Sequence, residues 1–277
     1  MLRHRARWKE YSYLFVPLGF SGILCLYLHA ANLFFSLPTL LFILGVPIAG
    51  VAGVYNRAIR GWIVLVMIAL SYEALAGPID SLANTGKMLS LFDFDRYLWG
   101  LNLTGWIQSY FASVSMTDTT FILYETLVPF VFATSFLLWR YRTSDFRKYV
   151  TAMLLTSYAA LITFLLVPTA PPWFSGVANN LVQNSGLGTT TAYLGPLAAF
   201  FQPNYFASFP SMHAAYAVIC SYFLLKADQR PGALSVVMTG GILFSTLYLG
   251  QHYLVDLLAG MVYAFVPCLL SEKWQIV

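Results

Sequence analysis

The 277-residue chain is too apolar for an ordinary water-soluble protein, because hydrophobic residues make up 59% of it and charged residues only 9%. About a quarter of a typical soluble domain is charged. The composition therefore predicts an integral membrane protein and excludes a soluble enzyme or binding module. A formal net charge of +4 could suggest nucleic-acid binding, but the positions of the charges indicate membrane topology instead.

Eight apolar segments predict an all-α fold with about eight transmembrane helices, since each is close to the roughly 20 residues that cross a bilayer. In chain order they lie near 12–29, 38–55, 61–77, 119–139, 148–167, 210–226, 232–250 and 252–270. The basic N-terminus resembles the start of a signal peptide, but the long apolar run lacks a small-residue cleavage site. We therefore expect a retained helix. The aromatic segment 78–118 is too interrupted to span, and we expect it to lie along the membrane interface or to fold back.

The lysines and arginines predict the orientation of these helices. With the N-terminus inside, thirteen of the fifteen basic residues fall in cytoplasmic loops and tails, and only Lys87 and Arg96 fall outside. Cytoplasmic loops of membrane proteins carry such an excess, so we expect both termini in the cytoplasm. The same topology places the starts of the sixth and eighth helices at the outer, extracytoplasmic face.

Two of the four histidines lie at those two predicted helix starts, thirty-nine residues apart. Ionisable residues are costly within a membrane and usually functional. His252 and Asp256 are spaced i, i+4, so they are predicted to stack on one helix face. The carboxylate would fix the imidazole tautomer and leave the other ring nitrogen as a nucleophile. A structural pair that only satisfies two polar groups is the alternative, and it loses weight because His213 enters the membrane at the same depth.

The stretch before His213 has the features of a phosphate-binding helix start. Pro210 suits the first helical position, so the backbone N–H groups of Ser211, Met212 and His213 are expected to be free at a helix N-terminus. Such an end binds anions, and the Ser211 hydroxyl could add a donor. His213 would then stand beside the anion as a general acid that protonates a leaving oxygen.

Two further residues are weaker candidates for the site. The Gln251 amide could donate to a phosphate oxygen, and the Trp173 indole could pack against a headgroup. Simple hydration and interfacial anchoring are their alternatives. Neither a metal nor a cofactor is expected, because one acidic residue and two histidines from separate helices make a thin set of ligands.

The motifs around both histidines resemble those of the type 2 phosphatidic acid phosphatase (PAP2) superfamily. Residues 210–213 resemble its Pro-Ser-x-His motif, and residues 245–256 resemble its third motif, Ser-Arg-x5-His-x3-Asp. The resemblance implies a phosphohistidine intermediate on His252, with Asp256 orienting the ring and His213 protonating the leaving group. It also implies a membrane core of six helices.

The resemblance suggests a division of the chain into two parts. Residues 61–277 would form the PAP2-like catalytic core, and residues 1–60 would contribute two additional transmembrane helices. Within the core, the segment 169–173, Thr-Ala-Pro-Pro-Trp, resembles a signature of the inositol phosphorylceramide synthase branch. That branch similarly ends in a His-Tyr-x-x-Asp motif.

The chain departs from the family pattern at three positions where cations would bind phosphate. The arginine of the third motif falls on Thr246, a candidate substrate-binding position, and the lysine and arginine of the first motif fall on Ala160 and Val167. A phosphomonoester carries up to two negative charges and a phosphodiester one. Because electrostatic interactions are poorly screened in a water-poor site, the missing cations should penalise the monoester more.

The sequence therefore predicts a membrane phosphotransferase that moves a phosphate-linked headgroup between lipids. A lipid phosphate phosphatase would use the same mechanism with water as the acceptor. Rival classes are a non-catalytic lipid binder or transporter, and an intramembrane serine protease built on Ser211. The expected partners are a phospholipid or lipid-phosphate substrate and the bilayer, with no nucleic acid, and the oligomeric state is left open.

Overall fold

The computed structural model describes residues 2–30, 40, 43–46, 48, 59–83, 89–185 and 207–276. These residues are mostly helical, as predicted. The helices are α1 (Leu2–Ala30), α2 (Arg60–Ala83), α3 (Phe92–Trp99), α4 (Leu103–Phe111), α5 (Val114–Glu125), α6 (Leu127–Tyr141), α7 (Thr143–Leu166), α8 (Leu181–Asn184), α9 (Met212–Ala227), α10 (Gln229–Tyr248) and α11 (Leu254–Lys273). Most of the predicted span 38–55 lies outside the described residues, as does Lys87.

Five helical stretches are long and apolar enough to cross a membrane. They are Tyr11–His29, Val114–Tyr141 (which joins α5 and α6), Thr143–Leu166, Gln229–Tyr248 and Leu254–Lys273, and the apolar helix Met212–Ala227 is shorter. The prediction of a mostly helical, multi-pass membrane protein is confirmed, and a two-stranded sheet is present beside the helices. The count of eight spans, the division at residue 60 and the cytoplasmic termini stay predictions.

Helix α9 lies at the centre of the bundle and packs against α7, α10 and α11. Small side chains allow this close packing, and Ala214, Ala215 and Ala217 are all fully buried. On α11, a side chain at Gly260 would collide with the carbonyl oxygen of Ser211. Glycine at this position therefore allows the two helices to approach closely near the point where α9 begins.

A small parallel sheet joins distant parts of the chain beside the starts of α9 and α11. Strand β1 (Leu89–Ser90) pairs with β2 (Thr169–Ala170), and Thr169 also forms a bridge with Ala207. Backbone hydrogen bonds thus hold three segments together just before α9 begins. We call this end of the bundle the site end.

Ion pairs join α7, α9 and α11 at their other end. The ammonium group of Lys148 lies 2.7 Å from the Glu272 carboxylate. Lys226 pairs with Glu272 as well, and lies 3.6 Å from the carboxylate of Asp145. We call this the ion-pair end.

The described part of the predicted interfacial segment 78–118 contains the end of α2, strand β1, two short helices and the start of α5. Helices α3 and α4 have 8 and 9 residues, far fewer than a membrane span needs. Tyr97, Trp106 and Tyr110 are exposed on them, to 85%, 47% and 71%. These aromatic side chains fit the predicted interfacial location.

Candidate active site

Helix α9 begins two residues later than predicted. Met212 is its first residue, and Ser211 is the N-cap, whose side-chain oxygen accepts a hydrogen bond from the amide of Ala214. Pro210 therefore precedes the helix and does not occupy its first position. The Ser211 amide is not free either, because it donates to the carbonyl oxygen of Asp256 at 3.0 Å. The amides of Met212 and His213 are left at the open first turn.

His252 lies two residues before α11, and not within it as predicted. The loop that carries it is held from α10, since the amides of Gln251 and His252 donate to the carbonyl oxygen of Thr246 at 3.0 and 3.3 Å. Asp256 lies in the first turn of α11, where its Oδ2 accepts from the amide of Tyr253 at 2.9 Å. A carboxylate is favourable at this place, near the positive end of the helix dipole.

The two catalytic candidates of the third motif still meet. His252 Nδ1 lies 3.5 Å from Asp256 Oδ2, and the histidine and aspartate side chains are 8% and 0% exposed. The helix-face argument predicted this contact for the wrong reason, because the loop geometry and the helix cap bring the two groups together. The Asp256 Oδ1 atom has no hydrogen-bond partner among the described residues.

Ser208 joins this pair, and the sequence analysis missed it. Its hydroxyl donates to Asp256 Oδ2 at 2.7 Å and lies 3.4 Å from His252 Nδ1. Ser208 and Asp256 thus both lie on the Nδ1 side of the imidazole ring. The other ring nitrogen, Nε2, makes no hydrogen bond within the described part of the chain.

The structure brings His213 next to His252. The centroids of the two imidazole rings are 5.7 Å apart, with 60° between their planes. On its other side, His213 stacks on the ring of Tyr124 from α5, at 4.2 Å and 25°. The two histidines of the separate motifs therefore share one site, as the topology predicted.

Two polar side chains of the interfacial segment support the start of α11 and the loop before it. Asp95 is buried on α3, and its Oδ1 accepts from the amide of Val255 at 2.9 Å and from the Trp99 indole at 3.2 Å. Burial raises the pKa of the Asp95 carboxyl, and these two hydrogen bonds act in the opposite direction. Gln108 on α4 donates to the carbonyl oxygens of Asn179 and Tyr248, each at 2.9 Å.

The remaining candidates lie around the His252 loop. The amide side chain of Gln251 donates to Asn180 Oδ1 at 3.1 Å, and the backbone amide of Trp173 donates to the Gly250 carbonyl at 3.2 Å. Thr246 is fully buried, and its hydroxyl donates to the carbonyl of Leu243 at 2.8 Å. The first two contacts hold the loop and its surroundings in place, whereas the Thr246 contact lies within α10.

The site has few charges. Within the ranges that the structure describes, no lysine or arginine pairs with Asp256 or bonds to either histidine, and Arg96 is exposed on α3. Those same ranges contain no group of three or more His, Cys, Asp and Glu side chains arranged for a metal ion. The charged chemistry available here is that of two imidazoles and one carboxylate.

A family model described as the PAP2 superfamily matches residues 89–270, which is more than half of the chain and includes every residue of the site. The chain belongs to the PAP2 superfamily. The resemblance seen in its motifs is therefore confirmed. This PAP2 protein is an enzyme that acts on lipid phosphate headgroups.

Curated relatives of this PAP2 protein include a phosphoinositol dihydroceramide synthase and inositol phosphorylceramide synthase catalytic subunits. It is 24% identical over 227 residues to a phosphoinositol dihydroceramide synthase of Bacteroides thetaiotaomicron, with 74% of this chain and 70% of that protein covered. It is 26% identical over 122 residues to the inositol phosphorylceramide synthase catalytic subunit of Schizosaccharomyces pombe, covering 39% of this chain and 28% of the relative. The corresponding subunit of Saccharomyces cerevisiae is 32% identical over 110 residues, covering 36% and 27%. No solved structure matches the chain.

Proposed function

We propose that the protein is a phosphotransferase that moves an inositol-phosphate headgroup from a glycerophospholipid to the hydroxyl of a ceramide-like lipid, through a phosphohistidine on His252. The arrangement at the His252 ring carries this proposal. Asp256 and Ser208 hold the Nδ1 side, which leaves Nε2 as the nucleophilic nitrogen, and His213 lies 5.7 Å away between ring centroids. A nucleophile, its orienting group and an acid are all present.

The reaction would proceed in two displacements at phosphorus. In the first, the Nε2 lone pair attacks, the bond from phosphorus to the diacylglycerol oxygen breaks, and His213 protonates that oxygen. In the second, neutral His213 takes the proton of the acceptor hydroxyl, whose oxygen attacks phosphorus. The N–P bond then breaks and returns its electron pair to His252. The enzyme is restored and the headgroup has moved to the new lipid.

The position of Ser208 argues against the serine-protease alternative for this constellation. In a Ser-His-Asp triad, the serine and the aspartate contact opposite nitrogens of the imidazole. Here Ser208 and Asp256 both contact the Nδ1 side of His252. Ser211, the serine of the second motif, is fully buried and caps α9. Neither hydroxyl is arranged as a nucleophile activated by His252 Nε2.

The scarcity of cations supports a phosphodiester substrate. The family positions for two arginines and one lysine hold Thr246, Val167 and Ala160, and Thr246 and Ala160 are fully buried. The open first turn of α9, with the Met212 and His213 amides, remains to bind the phosphate. Amides and one protonated imidazole suit a monoanionic diester better than a dianionic monoester.

The inositol headgroup and the ceramide-like acceptor are taken from the relatives. The bacterial relative is a phosphoinositol dihydroceramide synthase, and the fungal relatives are inositol phosphorylceramide synthase subunits. This chain spans less than a third of each of those two fungal proteins, and the matched part of the bacterial protein is 70%. The donor, the acceptor and the complete activity are therefore part of the proposal.

We also propose that the site faces the outer side of the membrane. Arg142, Arg147, Lys148 and Lys226 lie at the ion-pair end, opposite His213 and His252. The cytoplasmic side of membrane proteins is enriched in such residues. The ion-pair end is therefore assigned to the cytoplasm and the site end to the outer face, where Trp173, Gln251 and the amides of α9 would meet the headgroup.

A product assay on the purified full-length protein tests the function. Phosphatidylinositol is supplied with ceramide, and separately phosphatidic acid is supplied alone, and lipid products are identified by mass spectrometry. We expect a new inositol-phosphate sphingolipid and diacylglycerol, and a loss of at least about 10³-fold in His252→Ala. His29→Ala is the matched control, since His29 is exposed near the end of α1 and should retain activity.

Two results would contradict the proposal in different ways. Release of phosphate from phosphatidic acid without any transfer product would make the protein a phosphatase and would refute the argument from missing cations. Full turnover in His252→Ala would refute the nucleophile. Lipid binding without turnover in the wild-type protein would favour the non-catalytic class.

A further inference from the structure

Ser208 is buried, polar and in contact with both members of the His252–Asp256 pair. It is 4% exposed, and it lies 44 residues from His252 and 48 from Asp256 in sequence. A buried hydroxyl without a partner is costly, so a serine at this depth needs its hydrogen bonds. The two displacement steps described above use the pair, but neither step involves the hydroxyl of this side chain.

The hydrogen bonds allow an indirect link between the imidazole and the carboxylate, because the Ser208 hydroxyl is within hydrogen-bond distance of His252 Nδ1, at 3.4 Å. Charge-assisted N–H to carboxylate hydrogen bonds are usually about 2.7–2.9 Å long, whereas His252 Nδ1 and Asp256 Oδ2 are 3.5 Å apart. The Ser208 hydroxyl lies 2.7 Å from the same Oδ2. A hydroxyl has one donor and two acceptor lone pairs, so it can donate to Asp256 and accept from His252 Nδ1–H.

The geometry points to Ser208 as a positioning residue that links His252 to Asp256 and fixes the imidazole with its Nε2 directed at the phosphate. The assignment rests on the proposed function, because it concerns how the nucleophile is oriented. Ser208 acts through His252 and does not touch the substrate. The Ser208 hydroxyl also donates a second hydrogen bond to Asp256 Oδ2, which already accepts one from the Tyr253 amide.

Strand β2, which follows α7, holds Ser208 in this place. Thr169 of β2 is fully buried, and its hydroxyl accepts from the amide of Phe209 at 2.9 Å. Its carbonyl accepts from the Ser208 amide at 3.4 Å, and it forms the bridge with Ala207. Thr169 therefore anchors the residues on both sides of Ser208, which gives the segment 169–173 a structural part in the catalytic arrangement.

The test compares full-length Ser208→Ala with the wild-type protein in the lipid transfer assay. We expect kcat to fall by about 10- to 100-fold, the usual range for losing one hydrogen bond to a charged group. The KM for phosphatidylinositol should stay within about twofold, because no substrate contact is lost. Ser271→Ala is the matched control, since Ser271 is also buried but lies at the other end of α11 and donates only to the Cys268 carbonyl.

Two further variants separate this role from a loss of folding. Ser208→Cys nearly preserves the side-chain volume but replaces the hydroxyl with a weak donor, so its kcat should fall as in Ser208→Ala. If Ser208 acts by linking His252 to Asp256, adding Ser208→Ala to Asp256→Asn should lower kcat by no more than about twofold beyond Asp256→Asn alone. Losses that multiply in the double variant would overturn the inference.

The outcomes distinguish this inference from the function on which it rests. If wild-type protein turns over lipid and both Ser208 variants match it within about twofold, the inference is wrong and the function stands. An equal loss in Ser271→Ala would also overturn it, because the effect would then follow any buried serine. If the wild-type protein shows no turnover of phosphatidylinositol or phosphatidic acid, the proposed function fails first and the inference falls with it.

Discussion

At the end where α9 and α11 begin, His252 and Asp256 are almost completely buried, with side chains 8% and 0% exposed. At the end where these helices finish, Lys226 and Glu272 are 35% and 27% exposed and form ordinary ion pairs. The same bundle thus buries its charged groups at one end and leaves them partly exposed at the other. Exposed pairs add little to stability, whereas a buried carboxylate is costly to maintain. We assign catalysis to the end that holds the buried carboxylate.

The largest difference between the two ends should appear when a carboxylate is neutralised. Asp256→Asn removes the charge that orients His252 and stabilises its cationic form. We expect kcat to fall by about 10³- to 10⁴-fold, as for the aspartate of a catalytic triad. Initial rates of lipid transfer measure this loss. A decrease of less than about tenfold would mean that the buried carboxylate is structural.

The two ends should also differ in access to reagents. A cysteine replacing Arg96, which is exposed on α3, should react in intact cells with a thiol reagent that cannot cross membranes. A cysteine replacing Arg147, exposed at the ion-pair end, should react only after the membrane is permeabilised. The native Cys220 and Cys268 are buried and should contribute little signal, whereas Cys25 is partly exposed and is replaced by serine in the background protein. The reverse labelling pattern would place the site in the cytoplasm.

Tyr124, whose ring stacks on His213, allows a test of the site end with a smaller expected effect. Tyr124→Leu removes the flat surface against which the imidazole rests at 4.2 Å, so we expect kcat to fall by about tenfold through a poorly oriented acid. Tyr124→Phe keeps the ring and should stay within about threefold of the wild-type rate. Equal losses in the two variants would point to the phenol hydroxyl and not to stacking.

The smallest effect is expected at the ion-pair end. Glu272→Gln weakens the contacts to both Lys148 and Lys226, and we expect a stability loss of about 1 kcal/mol or less. Transfer activity per folded molecule should stay within about twofold. Thermal unfolding in detergent and the transfer assay measure the two quantities. A loss of activity comparable to that of Asp256→Asn would show that the ends are coupled.

The sequence predicted the elements of this comparison better than their local geometry. Hydropathy located the long helices that the structure describes, and the shared depth of two histidine motifs predicted that His213 and His252 lie close together. The predicted starts of α9 and α11 were each two residues too early. Ser211 is the N-cap of α9, whereas Pro210 was predicted to be its first residue. His252 precedes α11 and was predicted to lie within it. Such boundaries depend on which amides find acceptors elsewhere, as the Ser211 amide does at the Asp256 carbonyl.

The supporting residues could not be predicted from the sequence for a different reason. Ser208 reaches Asp256 across 48 residues, and Asp95 reaches the Val255 amide across 160. Neither separation produces a helical or strand period that a sequence pattern could show. The nearest signal for Ser208 was its position three residues before Ser211 in the second motif, and for Asp95 it was an acidic residue within an aromatic, interfacial segment.

The close contact at Gly260 has a consequence for how a two-chain lipid enters the site. Because α11 lies against the Ser211 carbonyl with no side chain between them, the beginnings of α9 and α11 cannot slide past one another without a collision. Among the described residues, we expect the motion that admits substrate in the segments beside these helices, α3, α4 and residues 171–180. Polar contacts tie these segments to α11 and to the end of α10, among them Asp95 to Val255 and Gln108 to Tyr248. The enzyme thus combines a closely packed pair of helices with adjoining segments whose release can limit the rate of lipid exchange.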